Sequence, residues 1–233
     1  MSNPRIYPSS RWSPRAISLI LGVSIAIGLG FNLLASAPAL AHHPFGGEAP
    51  KSIMEGFLSG LGHPVVGIDH LLFTIATGLL AVGVMRGLMI PITFVLMALA
   101  GTGIHLLEIN LPAPESIISL SVVIFGLLLA LRKRPEMLLV VGLAAGAGLF
   151  HGYAYGESVV GAETTPLLSY LIGFTMVQMA IALGAYFAAT LLIGKGMVGK
   201  ASQAIQSSNL ALRFSGFAIL GAGSALLSSL LLG

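Results

Sequence analysis

Leu88-Met89-Ile90-Pro91-Ile92-Thr93-Phe94-Val95-Leu96-Met97-Ala98-Leu99-Ala100-Gly101-Thr102-Gly103-Ile104-His105-Leu106-Leu107-Glu108-Ile109 is the stretch on which the fold turns. Its apolar residues follow one another without a period of two, over the length of roughly 20 residues that a helix needs to cross a bilayer. A membrane strand is shorter and alternates apolar with polar, so a helix is the conformation that satisfies these backbone amides in hydrocarbon. Near its end the run carries His105 and Glu108. Ionisable groups at that depth cost roughly 2.5 to 3.5 kcal/mol each even on a lenient insertion scale, and they usually line a polar path or site.

Five further apolar windows, 65–85, 116–131, 137–155, 166–193 and 210–232, have a similar character. The expected fold class is therefore all-α, a polytopic membrane helix bundle of six transmembrane helices. The whole chain agrees: of 233 residues, 56% are hydrophobic and 8% charged, and the mean hydropathy is +0.97. A water-soluble domain is excluded on that composition. Residues 65–233 form one six-span membrane domain, because the polar gaps are too short for another. Residues 42–64 are an exterior segment in which 52–62, apolar but short and followed by Pro64, reads as a surface or re-entrant helix.

At the start, Arg5, Arg11 and Arg15 precede an apolar stretch, 16–35, which is followed by Ala39-Leu40-Ala41. This is the pattern of a signal peptide, residues 1–41, cut after an A-x-A site. The stretch is longer than the usual apolar region of roughly 7 to 15 residues, so an uncleaved anchor is the alternative, and it orients the later spans alike. Cleavage leaves His42-His43 at a mature N-terminus outside the cytoplasmic (inner) membrane of a bacterial-type cell.

Basic residues set the sidedness. Arg86, then Arg132, Lys133 and Arg134, then Lys195, Lys200 and Arg213 fall in alternate connections, which are cytoplasmic by the positive-inside rule. The opposite side has Lys51, with Glu48, Glu115 and Glu163. Membrane orientation thus accounts for the net charge of +3 without a nucleic-acid partner. Cysteine is absent, which removes disulfides and thiolate ligands. No Gly-x-x-x-x-Gly-Lys-Ser/Thr loop occurs, so no nucleotide partner is expected.

On this map three motifs lie in the outer half of the bundle. His63-Pro64-Val65-Val66-Gly67-Ile68-Asp69-His70 opens the first span, with Pro64 suited to an early helical position. In a continuous helix His63 and His70, seven residues apart, share a face. His105 and Glu108 stand at i,i+3, side by side on a helical face, where they chelate or pair a ligand with an orienting acid; Thr102 extends the stripe. In His151-Gly152-Tyr153-Ala154-Tyr155-Gly156-Glu157, the glycines allow close helix approach, His151 and Tyr155 share a face, and Glu157 lies just past the helix end. Packing alone accounts for the glycines. It does not account for the histidine. Gln178, with Thr175, is the polar group deep in the fifth span, and packing is its simpler role. Met176 and Met179 read as core filler.

Imidazole and carboxylate together favour a divalent transition metal. The candidate metal residues are His42, His43, His63, Asp69, His70, His105, Glu108, His151 and Glu157. A secondary permease is the leading reading. An intramembrane zinc-dependent hydrolase is the alternative from another class, although no His-Glu-x-x-His helix supports it. A non-transporting metal-sensing subunit is the third.

The motifs His63-Pro64-x-x-Gly67-x-Asp69-His70, His105-x-x-Glu108 and His151-Gly152-x-Ala154-x-Gly156-Glu157, with the His42-His43 start, resemble those of the HupE/UreJ family of hydrogenase- and urease-accessory membrane proteins, regarded as nickel or cobalt permeases. The resemblance implies uptake of Ni²⁺ or Co²⁺ as substrate, no catalytic cofactor, and a hydrogenase, urease or cobalamin pathway downstream. Many relatives have a histidine-richer motif in the fourth span, and Tyr155 occupies a place where a second histidine can occur.

Overall fold

The computed structural model describes residues 49–132, 135–194 and 210–232. The expected signal peptide 1–41, His42, His43, Lys133, Arg134, Lys195 and Lys200 lie outside the described residues. Among the described residues all regular structure is helical: α1 (Ile53–Val66), α2 (Ile68–Ala81), α3 (Met89–Leu106), α4 (Pro114–Ala130), α5 (Met137–Glu157), α6 (Thr164–Gly194) and α7 (Leu210–Leu232).

Every apolar window is helical, yet the windows differ in reach. α3, α5, α6 and α7 are long and apolar enough to cross a membrane, and α1 with α2 counts as a fifth crossing if that bent pair is one span. α2 has 14 residues, about 21 Å at 1.5 Å per residue, against a hydrocarbon core of about 30 Å. α4 has 17 residues, about 26 Å on the same rise. Among the described residues the expected six full-length spans thus become four or five by length. The protein is a multi-pass membrane protein whose outward side chains match that solvent: Leu138 and Leu192 are each 81% exposed.

Local chemistry explains the ends. Ser52 caps α1 by accepting the Glu55 amide at 3.2 Å, while Glu55 accepts the Lys51 amide at 2.7 Å, close to a capping box. Pro114 sits in the first turn of α4, where its missing N–H costs nothing. Arg213 donates from Nε to the Ala130 carbonyl at 3.0 Å, satisfying an orphan acceptor at the end of α4.

Helices pair through small residues, since lipid provides no hydrophobic drive between them. α3 packs on α5, α4 on α7, and α1 and α2 on α6. At Gly152 of α5 a Cβ would collide with the Ala98 backbone of α3, and at Gly60 of α1 it would meet the Phe174 amide of α6 at 2.9 Å. Thr102 then ties α3 to α5, its hydroxyl donating to the carbonyls of Gly152 at 2.9 Å and Ala98 at 3.1 Å. This is a structural clasp, not the extension of the His105 stripe expected from spacing. Met179 packs against the core as expected, whereas Met176 is 56% exposed.

Candidate functional site

The site is made by a bend. Pro64 does not begin a helix: it lies in the last turn of α1, where it has no amide hydrogen for the Gly60 carbonyl. The helix ends at Val66, Gly67 takes extended angles (φ −71°, ψ 104°), and α2 leaves at 79° to α1. A continuous helix would have put His63 and His70 about 10.5 Å apart along its axis. Bent at Gly67, the chain brings the ring centroids to 5.7 Å, so the two histidines meet across a corner and not along one face. Gly67 fits this corner because a Cβ there would sit 2.5 Å from the His70 ring.

Around the corner lies a buried network. His63, His70 and His151 are 3%, 2% and 0% exposed. His70 Nδ1 is 2.7 Å from His151 Nδ1, and His151 Nε2 is 3.0 Å from Ser121 Oγ on α4. His63 Nδ1 is 3.0 Å from Ser158 Oγ and 3.2 Å from the Tyr170 hydroxyl. Tyr155 packs its ring on both His63 and His70, with centroids at 5.0 and 4.6 Å. Asp69 Oδ1 accepts the His70 amide at 2.8 Å and lies 3.9 Å from His70 Nε2. Beneath His151, Phe73 and Phe94 present ring faces and edges at 4.6 and 5.6 Å. Phe125 closes the floor against Phe73 at 4.3 Å. The polar cluster is therefore sealed on that side by aromatic core.

A cavity of about 190 Å³ opens beside the cluster, lined by His63, Asp69, His70 and His105 together with Glu115 and Glu157. These come from the C-terminal ends of α1, α3 and α5 and the N-terminal ends of α2 and α4, which is one end of the bundle. Glu157 is the last residue of α5, slightly earlier than the expected position past its end. Tyr155 and Gln178 are fully buried. The Gln178 amide lies beside the Tyr155 hydroxyl, and neither group makes a well-formed hydrogen bond there. Gln178 thus faces the underside of the cluster. Among the described residues no three histidine or acid side chains stand close enough to hold one ion together. Among the described residues, Asp69 Oδ1 and His70 Nε2 come within 3.9 Å of each other.

His105 and Glu108 are not a helical pair. α3 ends at Leu106, Glu108 has φ 60°, and the amides of Glu108 and Ile109 bond back to the carbonyls of His105 and Ile104. That is a Schellman closure with glutamate in the left-handed position. It turns Glu108 out to an exposed site while His105 stays at the cavity, packed at a tilt on Tyr153 with ring centroids at 4.4 Å. Spacing alone could not show this, because the i,i+3 argument holds only inside a helix. A left-handed conformation costs a side-chain-bearing residue about 1 to 2 kcal/mol that glycine avoids. Glu108→Gly is therefore expected to raise stability by about 1 kcal/mol. Thermal unfolding of the purified protein checks it, and a lowered midpoint would show that the carboxylate supports the fold.

Ser121, Ser158 and Tyr170 were not legible as site residues. Each is an isolated hydroxyl in an apolar stretch or turn, and only the fold brings it against an imidazole. Glu115 carries no signal in the sequence beyond that of an exterior acid, and only the fold places it in the cavity.

Fold and site together define a multi-pass helical membrane protein with a buried histidine–hydroxyl cluster at one end of its bundle. Comparison with known proteins names the group. The HupE / UreJ protein family profile matches residues 30–226. Protein HupE of Rhizobium leguminosarum bv. viciae is 31% identical over 196 residues, covering 82% of this chain and 91% of that protein. The chain belongs to the HupE/UreJ family. No solved structure matches it significantly.

Proposed function

We propose that the protein is a secondary permease that imports Ni²⁺ or Co²⁺, taken from the outer side of a bacterial-type inner membrane. The observation that carries this reading is the cavity where three histidines meet Asp69, Glu115 and Glu157 at one end of an apolar bundle. Family membership supports it. Asp69 and His70 form the first seat, and a partly hydrated ion takes its remaining ligands from water, through which His63 and the neighbouring acids of the cavity are reached. Carboxylate charge offsets part of the cost of holding a divalent ion away from bulk water. Imidazole nitrogens suit nickel and cobalt better than they suit magnesium or calcium, which favour all-oxygen sites. His151 serves the seat from behind, through His70. His42 and His43 would lie on the loading side and pass ions toward the cavity.

No nucleotide loop is present, so the driving force is electrical. A negative interior is worth about 2.3 kcal/mol per charge per 100 mV, hence about 4.6 kcal/mol for a divalent ion. Purified protein in sealed vesicles is expected to accumulate Ni²⁺ or Co²⁺ when an inside-negative potential is imposed, without ATP. Either ion should inhibit entry of the other. Surface binding of metal with no rise inside the vesicles would instead favour a sensing subunit, and hydrolysis of a peptide or lipid with bound zinc would favour an enzyme.

A further inference from the structure

Two ways lead inward from the histidine cluster, and they differ in chemistry. Behind His151 the floor is aromatic, with Phe73 packed on His151, Phe94 and Phe125. Behind Tyr155 it is polar. The Tyr155 ring lies between His70, at 4.6 Å, and Phe174 of α6, at 5.3 Å, and its hydroxyl reaches the Gln178 amide. Gln178 is 0% exposed. Among the described residues its amide oxygen, its amide nitrogen and the Tyr155 hydroxyl all lack a well-formed hydrogen bond. A small turn of the side chains does not cure this, because one hydroxyl serves one end of an amide and leaves the other end unmet. Buried polar groups are nearly always paired, so an unmet glutamine in the middle of a membrane helix calls for a ligand. Packing alone would be served better by an apolar side chain of the same shape.

The register of α2 against α6 puts further oxygens at the same level. His70 and Phe174 are joined through the Tyr155 ring, and two turns further along both helices Gly78 packs against the Ala182 backbone. Thr74 and Gln178 stand one turn from each of these levels, facing the same gap. On α2 the spacing His70, Thr74, Thr77 keeps one helical face, and both threonines are 0% exposed. Each donates its hydroxyl proton within α2, Thr74 to the His70 carbonyl at 2.8 Å and Thr77 to the Thr74 carbonyl at 2.7 Å. A hydroxyl oxygen so engaged still has a lone pair to offer. A polar stripe therefore leaves the cavity and continues toward the middle of the bundle.

We propose that Gln178, with the Tyr155 hydroxyl and the Thr74 and Thr77 oxygens, is a second station for the divalent ion, inward of the histidine cluster, where neutral oxygens hold it on its way across the bundle. What passes there rests on the permease reading. Neutral oxygens bind Ni²⁺ or Co²⁺ less firmly than imidazole does, which suits a step that an ion must leave as readily as it enters. Tyr155 stands between the two stations.

Two full-length variants test this. Gln178→Leu removes the unmet amide, so the purified protein should melt no lower than native and bind Ni²⁺ at the outer cavity as native does. Uptake into sealed vesicles should nevertheless fall roughly 10- to 100-fold, the loss of one polar ligand to a charged group. Native uptake in Gln178→Leu overturns the proposal, and so does a loss of uptake matched by a loss of folded protein, which would make the amide a structural tie. The second variant needs no transport. The chain has no cysteine of its own, so Gln178→Cys carries a single thiol, which a small cationic methanethiosulfonate reagent modifies only where water brings it. Modification is expected at Gln178→Cys and not at Met176→Cys, on the 56% exposed outer face of the same helix. A Gln178→Cys thiol as inert as that control overturns the station. Modification of Gln178→Cys in a protein whose native form accumulates no metal leaves the polar station standing and rejects the permease reading alone.

Discussion

His70→Ala is expected to abolish nickel and cobalt uptake in cells and vesicles while the chain still inserts and purifies as a folded bundle. His70 lies at the centre of the cluster, against His151 at 2.7 Å, Asp69 at 3.9 Å, and the rings of His63 and Tyr155. Truncation removes the imidazole beside Asp69 and also strands His151 Nδ1 without its partner. Leaving one buried polar group unpaired costs about 1 to 3 kcal/mol. That weakens the bundle without dissolving it, since the helix pairs α3–α5, α4–α7 and α1–α6 do not run through His70. Activity should therefore fall by more than the roughly 10- to 100-fold expected for an outer-shell change. Asp69→Ala should do the same through loss of the carboxylate, with less effect on stability because Asp69 is 18% exposed. Wild-type accumulation in both variants, measured against equal amounts of membrane-inserted protein, would remove this pair from the transport path.

Gly152→Leu should have the second large effect, by a different route. The α3–α5 pair is locked where Gly152 faces the Ala98 backbone, and any side chain there must push the helices apart. Overpacking usually costs about 1 to 3 kcal/mol when side chains can move aside. Backbone cannot, so the cost should reach about 3 kcal/mol or more and should also break the Thr102 clasp to the Gly152 carbonyl. The expected result is loss of the folded, monodisperse protein in detergent and, with it, of uptake. Gly142, whose added Cβ would meet nothing within 4 Å, is the control: Gly142→Ala should be tolerated. Equal yield and melting behaviour for Gly152→Leu and native protein would mean that α3 and α5 are not packed as described.

The two variants separate what a sequence can say from what it cannot. The apolar windows, their helical character and the multi-pass class depend on composition along a line, and the structure has a helix in every window. The histidine-rich end was also legible, because alternation of spans puts His63, His105 and His151 at one end once the helices are counted. Contacts across the bundle were not. Pro64 reads equally well as a helix start or a last-turn break, and only the packing of α1 on α6 decides that the chain bends at Gly67. Glu108 keeps the spacing of a helical partner to His105, but the Schellman turn sends it outward.

What the chain determined by itself is a membrane bundle with imidazoles and carboxylates at one end, since hydropathy and charge act on each segment wherever its neighbours are. Tertiary structure decided which of those groups come together: the corner that joins His63 to His70, the hydroxyls of Ser158 and Tyr170 beside His63 and of Ser121 beside His151, and the placing of Glu115 in the cavity instead of Glu108. The reason is physical. Burial preference is a property of single residues, whereas hydrogen bonds and ligand geometry require atoms from separate helices to agree within a few tenths of an ångström.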